Sequence, residues 1–207
     1  ELLKRLVSIN SVNPDLVPGG FGEAAIADFC GQWLAERGFE VHRVEEHAGR
    51  PSIVGIARGV GGGRSLMFNG HMDTVSIGSY DGDALDPVVR DGRLYGRGSF
   101  DMKGGVAAMM VAAARAKAKG VGGDILVACV ADEEYASFGT AEVTTRFRAD
   151  AAIVTEPSHL ELTVAHRGFV WFDVAVHGRA AHGSRPELGI DAIAKAGKFL
   201  VALEAYD

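Results

Sequence analysis

A run of six apolar residues, Ile-Leu-Val-Ala-Cys-Val at 125–130, most constrains how this sequence folds. Because it shows no polar alternation, it predicts a strand over residues 124–130 in the middle of a sheet that is covered on both faces. The run ends abruptly in Ala-Asp-Glu-Glu at 131–134, and a second apolar segment, 151–154, leads likewise to Glu156. Two buried strands that end in acidic residues indicate a layered domain with a polar site at one edge of its sheet.

Strands and helices alternate along most of the remaining sequence. Strands are predicted at 39–44, 52–57, 65–69 and 151–154, a hairpin at 87–95 with its turn at Asp91-Gly92, and helices at 21–37 and 106–119. This alternation predicts an α/β fold with a mixed, mostly parallel sheet flanked by helices.

The pattern changes after about residue 167. Apolar residues alternate with other residues at Val170, Phe172, Val174 and Val176. This alternation predicts a half-buried antiparallel strand. A polar loop at 177–187 and an amphipathic helix from Gly189 follow. A strand, a loop and one helix bury too little surface to form a core alone, so we expect residues 168–207 to be the start of a second, α+β domain.

Composition excludes several classes of protein. Hydrophobic residues make up 47% and charged residues 23% of the 207 residues, which argues against disorder. A net charge of −6 without a basic run argues against nucleic-acid binding, and no apolar run is long enough to span a membrane. Cys30 and Cys129 are interpreted as buried, reduced thiols, which favours a cytoplasmic location. The start at Glu1 rather than Met leaves a trimmed leader as an alternative.

Five acidic residues and one histidine follow the predicted strands or precede a predicted helix. They are His71, Asp73, Asp101, Glu133, Glu134 and Glu156. Taken singly, Asp101 reads as a helix N-cap and the glutamate pair as part of a solvated loop. Together they would converge on one rim, where acids repel one another unless cations are bound. Imidazole with carboxylates suits zinc, with cobalt or manganese as alternatives, better than calcium.

The spacing of these residues suggests different tasks for them. Asp73 lies two residues beyond His71 in an extended segment, so both side chains point to one side, and Asp73 can accept the second imidazole N–H. Glu133 and Glu134 are adjacent, so their side chains diverge. One of them can hold a metal while the other faces a water molecule as a general base.

Five segments, in chain order, resemble motifs of the dinuclear zinc amidohydrolases and metallopeptidases. They are NGHMDTV (69–75), GRGSFDMKGG (96–105), ADEEYASFGT (131–140), VTEPS (154–158) and GRAAHGSRP (178–186). That family includes acetylornithine deacetylase, succinyl-diaminopimelate desuccinylase, aminoacylase and the glutamate carboxypeptidases. The resemblance implies that residues 1–167 are the amino-terminal part of a zinc-binding catalytic domain and that residues 168–207 begin a lid and dimerisation domain.

The resemblance also implies a role for each matching residue. His71 and Glu156 would bind one zinc ion and Glu134 the other, with Asp101 bridging both. The family needs a further histidine for the second metal, and no segment of this sequence matches it. The peptide bond between Asp101 and Met102 would be cis.

Other residues are given roles outside the metal shell by the same resemblance. Glu133 would be the general base and Asp73 would orient His71. His182 would reach into the active site of a partner subunit in a homodimer and stabilise an oxyanion, and Arg185 is a weaker candidate for gripping a substrate carboxylate.

The remaining histidines are not assigned to the site. His42, His47 and His177 lack acidic company in the sequence pattern and are interpreted as structural. His159 and His166 are given no ligand role.

The function expected from the resemblance is hydrolysis of the amide bond in N-acyl amino acids or small peptides. Acetylornithine deacetylase-like activity is the first expectation, with desuccinylase and carboxypeptidase or dipeptidase activity as alternatives. A relative that kept the fold only for binding would be expected to lose the base or the bridging ligand. Because Glu133 and Asp101 are both present, this alternative is less favoured.

Overall fold

The structure, a computed structural model, describes residues 1–158, 160–165, 168, 170 and 172–206. These residues fall into two units, Glu1–Leu162 and Thr163–Asp207. The strands are β1 Glu40–Val44, β2 Ser52–Ala57, β3 Leu66–His71, β4 Val88–Arg90, β5 Arg93–Tyr95, β6 Ile125–Val130 and β7 Ala151–Val154. The helices are α1 Leu2–Ser8, α2 Ala24–Ala35, α3 Lys103–Lys119, α4 Phe138–Arg146 and α5 Ala192–Glu204, with a short 3₁₀ helix at Pro186–Leu188.

Five strands form the central sheet of the first unit in the order β1-β2-β6-β3-β7. Strand β6 pairs in parallel with β3 and antiparallel with β2, and β3 pairs in parallel with β7. Strand β1 is antiparallel to β2, so four strands run in one direction and only β2 opposes them. The predicted mixed, mostly parallel sheet is therefore confirmed, with β6 at its centre. Strands β4 and β5 form the predicted hairpin separately.

The uninterrupted apolar sequence of β6 is explained by the two layers that cover it. Alternate residues of β6, beginning with Ile125, pack into a core shared with α1, α2 and α3. The residues between them, beginning with Leu126, pack into a second core on the opposite face, which includes Val143 of α4. All six residues of β6 are buried. Among the described residues, no helix combines the length and apolar content that crossing a bilayer requires.

Some element boundaries differ from the prediction for local reasons. Helix α3 begins at Lys103, before the predicted Val106, because the glycines at 104 and 105 lie inside the helix rather than in the preceding loop. Helices α1 and α4 were not predicted. In α4 the periodic signal is weak, because Val143 is its only buried large apolar residue.

The predicted antiparallel strand around residues 170–176 is wrong for the residues that the structure describes. No strand is assigned there, and Val170, Phe172 and Val174 are 72%, 79% and 51% exposed. In the described part of the chain this segment has no neighbouring strand to satisfy its backbone groups, and a single strand is not stable alone. The predicted helix that follows is present as α5, where Asp191 caps the amides of Ile193 and Ala194.

Helix α3 crosses very close to the chain that follows β7, and Gly105 makes this approach possible. A Cβ atom added at Gly105 would lie 2.1 Å from the carbonyl oxygen of Thr155.

We therefore expect Gly105→Ala to lower the free energy of unfolding by roughly 1–3 kcal/mol, since the crowded atom is backbone. Gly31→Ala in α2 is the matched control, because its Cβ would meet only side-chain carbons at 3.6 Å or more. The control should raise stability by roughly 0.5–1 kcal/mol in urea unfolding. Equal effects of the two substitutions would contradict the close approach.

Candidate metal centre

The carboxyl ends of β3, β6 and β7 meet at one edge of the sheet because these strands are parallel neighbours. His71 is the last residue of β3 and pairs in register with Val130, the last residue of β6. Asn69 pairs with Val154, the last residue of β7. The segments that carry Glu133, Glu134 and Glu156 therefore leave the sheet beside His71.

The imidazole of His71 lies at the centre of the acidic cluster. Its side chain is only 1% exposed, and its Nε2 atom lies 3.2 Å from Asp101 Oδ1. The same nitrogen is 3.6 Å from Glu156 Oε1 and 3.7 Å from Glu133 Oε2. One imidazole nitrogen thus faces three carboxylates.

Two groups of side chains could each hold a metal ion. The first is His71, Glu133 and Glu156, and the second is His71, Asp101 and Glu134. Within each group the ligand atoms lie within 4.8 Å of one another. The structure thus brings the four predicted ligands together, and it brings Glu133, the predicted base, to the same place.

Asp101 reaches the cluster from the turn before α3. The helix has Met102 as its N-cap position, so Asp101 is not the N-cap that its position alone would suggest. The peptide bond between Asp101 and Met102 is cis, as the resemblance implies. The next residue, Lys103, is fully buried and donates from Nζ to the carbonyl of Ile9 at 2.8 Å. Burial lowers the pKa of Lys103 to about 7.

Asp73 contacts His71 differently from the prediction. His71 Nδ1 lies 3.0 Å from the backbone carbonyl oxygen of Asp73 and 3.5 Å from its carboxylate, so the shorter contact is to the main chain. The carboxylate of Asp73 accepts the backbone N–H groups of Glu133 and Glu134 at 3.0 and 3.2 Å. Asp73 therefore ties the end of β3 to the turn that carries the two glutamates.

The pKa values in the cluster show that it attracts positive charge. Burial lowers the pKa of His71, but its hydrogen bonds to Asp101 and Asp73 outweigh burial and raise the pKa to about 11. Burial raises the pKa of Glu156 to about 7 and that of Glu134 to about 6, against the opposing charge of His71. Burial likewise raises the pKa of Glu133. Carboxylates that tend to hold protons and an imidazole that tends to stay charged mark a site suited to a cation.

Two of the predicted site residues belong to the second unit. His182 belongs to the second unit, is exposed, and pairs through Nδ1 with Ser184 Oγ at 2.9 Å. Arg185, also in that unit, lies 3.5 Å from Glu187 Oε1. His182 is in neither of the two ligand groups found among the described residues.

The expectation that His42 and His47 lack acidic partners is wrong. His42 Nε2 lies 2.8 Å from Glu40, and His47 Nδ1 lies 2.5 Å from Glu142. Glu40 lies two residues before His42 on β1, so both side chains are on one face of the strand, whereas Glu142 of α4 reaches His47 from 95 residues away. Both pairs lie outside the ligand groups. His159 and His166 lie outside the described residues.

Two buried polar residues beside the cluster were missed by the sequence analysis. Asn13 donates to Asp73 and to Asp132, and all three side chains are inaccessible to solvent. Asp132 carries a sequence signal, since it stands within the same Ala-Asp-Glu-Glu motif. Asn13 precedes a proline, and Asn-Pro by itself indicates only a turn.

Comparison with known proteins gives a consistent result. Residues 67–203 match the family model of peptidase family M20/M25/M40. The chain is 31% identical to an acetylornithine deacetylase of Vibrio vulnificus, over 98% of this chain and 54% of the relative. It is also 31% identical to a succinyl-diaminopimelate desuccinylase of Parvibaculum lavamentivorans, over 100% of this chain and 54% of the relative. The chain thus spans about half the length of the curated relatives that it matches.

Solved structures share the fold. A tripeptidase of Staphylococcus aureus superposes with a TM-score of 0.71 at 22% identity, covering 97% of this chain and 54% of that one. A dinuclear metal-binding M20 peptidase of Bacillus subtilis superposes with a TM-score of 0.52 at 16% identity, covering 70% of this chain and 37% of that one. Since the family model covers most of the chain and the first relative covers nearly all of it, this chain belongs to peptidase family M20/M25/M40.

Proposed function

We propose that the protein to which this chain belongs is a metal-dependent hydrolase that cleaves the amide bond of N-acyl amino acids or small peptides. The observation that carries the proposal is the convergence of four carboxylates on the buried imidazole of His71, in two overlapping ligand groups. An acidic cluster with little cationic compensation is the environment that divalent metal ions occupy in hydrolases.

The donor set suits two zinc ions, with cobalt or manganese as alternatives. His71 and Glu156 would hold one ion, Glu134 the other, and Asp101 both. The second ion needs a further ligand, which we expect to be a histidine from outside this chain. When bound, such ions polarise the amide carbonyl and lower the pKa of water. The Bacillus subtilis relative, described as a dinuclear metal-binding peptidase, supports the choice of two ions.

Proton transfer during hydrolysis is assigned to residues of this chain. The Glu133 carboxylate accepts a proton from the attacking water and returns it to the leaving amine nitrogen. Hydrogen bonds from the backbone of Glu133 and Glu134 to Asp73 hold this turn against the end of β3. The Asp73 carbonyl, 3.0 Å from His71 Nδ1, fixes the imidazole so that Nε2 faces the carboxylates.

An N-acetylated amino acid such as acetylornithine is our first choice of substrate. The acetylornithine deacetylase of Vibrio vulnificus supports it at 31% identity. A succinylated diamino acid is the alternative, supported at the same identity by the desuccinylase of Parvibaculum lavamentivorans. Screening the full-length protein with zinc or cobalt against acetylated, succinylated and dipeptide substrates tests the choice.

His182 would stabilise the oxyanion in the active site of a partner subunit, which requires a homodimer. The exposed position of His182 is compatible with such a contact.

A cytoplasmic location is supported by the two free, buried thiols of Cys30 and Cys129.

Glu133→Gln in the full-length protein tests the general base. Because glutamine cannot accept the proton, kcat should fall by roughly 10²- to 10⁴-fold while the zinc content is retained. Steady-state kinetics and metal analysis of the same samples check this. Glu46→Gln, the same change on an exposed loop, is the control and should leave both quantities unchanged.

Each of the two glutamates lies in a candidate ligand group, so Glu134→Gln is needed to distinguish the base from the ligand. We expect this variant to lose zinc as well as activity. Loss of zinc in Glu133→Gln but not in Glu134→Gln would exchange the two roles. Full activity of Glu133→Gln would refute the mechanism.

Glu156→Gln tests the cation site through stability. The folded-state pKa of Glu156 is raised from 4.5 to about 7, so the stability linked to its protonation is present below about 4.5 and is lost as the pH rises through 7. Without metal, Glu156→Gln should therefore melt at a higher temperature than the wild type at about pH 8, and the difference should vanish near pH 4. With zinc at about pH 8 the order should reverse, because the wild type binds the ion more tightly. Melting curves with and without zinc check this, and an unchanged order with zinc would count against Glu156 as a ligand.

A further inference from the structure

Asn13 is brought to Asp73 by a short stretch of backbone pairing. Thr74 N donates to Ser11 O at 3.0 Å and Asn13 N donates to Thr74 O at 2.9 Å. The hydroxyl of Ser11 donates to the carbonyl of Met72 at 2.7 Å. The segment before Pro14 thus lies alongside the end of β3 and places the Asn13 side chain beside the metal cluster.

The amide group of Asn13 joins two buried carboxylates. Its Nδ2 atom donates to Asp73 Oδ2 at 2.7 Å and to Asp132 Oδ1 at 3.0 Å, and its Oδ1 atom accepts the N–H of Asp15 at 2.9 Å. The side chains of Asn13, Asp73 and Asp132 are all 0% exposed. A primary amide has two N–H donors, which lets it separate two anions that would otherwise repel each other.

Arg50 holds the other side of Asp132. Its Nε and Nη2 atoms donate to the two oxygens of Glu23 at 2.5 and 2.8 Å, and Nη2 also donates to Asp132 Oδ1 at 3.0 Å. Its Nη1 atom donates to Asp15. The guanidinium lies over the ring of Phe138, 5.2 Å from its centroid, at the start of α4. The guanidinium of Arg50 thus binds the carboxylates of Asp15, Glu23 and Asp132. It also packs against α4, the helix that follows Glu133 and Glu134.

These contacts fix the turn that carries Glu133 and Glu134. Asp132 has a φ of 62°, a strained value for a residue other than glycine, and its backbone N–H donates to Glu23 at 3.2 Å. Its carbonyl accepts the N–H of Ser137 at 2.6 Å, which closes the turn. The backbone N–H groups of Glu133 and Glu134 donate to the carboxylate of Asp73. The turn is therefore held by Arg50 and Glu23 on one side and by Asp73 and Asn13 on the other.

We propose that Asn13 and Arg50 are positioning residues for this hydrolysis, setting where the Glu133 carboxylate stands relative to His71. Asn13 acts through Asp73 and Asp132, and Arg50 acts through Asp132 and Glu23. The inference rests on the proposed function. Since a displaced base slows the chemical step and leaves substrate contacts intact, these residues should govern kcat rather than KM.

Asn13→Asp in the full-length zinc enzyme is the direct test. The change keeps the size of the side chain and the acceptor for Asp15, but it puts a third carboxylate between Asp73 and Asp132. We expect kcat to fall by roughly 100-fold and KM to change by less than about threefold. Asn10→Asp is the matched control, because Asn10 Oδ1 accepts the N–H of Val12 and a carboxylate keeps that bond.

Arg50→Lys is the second variant, in case Asn13→Asp does not fold. Lysine keeps the charge but cannot span three acids with a planar group, so kcat should again fall more than KM changes. Arg43→Lys is its control, since Arg43 also bridges two acids, Asp28 and Glu45, on the exposed surface. Melting temperatures of all four variants show which of them are folded.

Amide hydrogen exchange of residues 131–137 in the metal-free protein provides a readout that needs neither zinc nor substrate. The N–H groups of Glu133 and Glu134 should exchange at least about tenfold faster in Asn13→Asp than in Asn10→Asp. If the wild type hydrolyses its substrate and folded Asn13→Asp and Arg50→Lys match their controls in kcat, the positioning role is overturned. If the wild type hydrolyses none of the substrates, the proposed function fails, and equal exchange in Asn13→Asp and Asn10→Asp then overturns the positioning role separately.

Discussion

Repulsion among five acidic side chains gathered round one buried imidazole is the constraint on which the rest of this structure depends. Parallel pairing of β3 with β6 and β7 puts the ends of these strands at one edge of the sheet. The glutamates that follow β6 and β7 therefore lie close to His71 at the end of β3 and close to one another. The protein resolves the repulsion in two ways. Asp73 is fully buried, and its carboxylate accepts hydrogen bonds from Asn13 and two backbone N–H groups, which stabilise the charge within the protein. Asp101, Glu133 and Glu156 instead keep 54%, 44% and 38% of their side chains exposed and turn toward His71.

This division separates carboxylates that hold the turn from carboxylates that can hold a cation. Asp132, like Asp73, is fully buried and is satisfied by Asn13 and Arg50. Burial and the neighbouring carboxylates raise the pKa of Glu156 to about 7, because together they outweigh the positive charge of His71. Burial also acts to raise the pKa of Asp73, but its contacts with His71, Asn13 and the backbone of Glu133 outweigh burial and lower it. A divalent ion would serve the exposed acids better than a single imidazolium can, because it carries twice the charge and accepts several oxygen ligands.

Much of this arrangement could be predicted from local sequence, and the exceptions have physical reasons. The apolar run of β6 predicted a strand buried on both faces, and the acids after it pointed to the site. Helix α4 gave little signal because its burial depends on one valine, Val143. The strand predicted around Val170 failed because alternation of residue types cannot supply a partner strand. Asn13 was missed because its contact with Asp132 joins residues 119 positions apart, and no local pattern reports such a contact.

The amino-terminal residues belong to the same functional unit as the motifs, although the family model begins only at residue 67. Asn13, Glu23 and Arg50 all precede that point, and each bonds to the Asp132 backbone or side chain. A ligand motif fixes which atoms are present, but a base works only when its oxygen stands within hydrogen-bond reach of the reacting water. In our proposal that placement comes from the buried amide of Asn13 and the guanidinium of Arg50, behind the turn. Asn13, Glu23 and Arg50 would then matter to the geometry of the centre as much as the acids that line it.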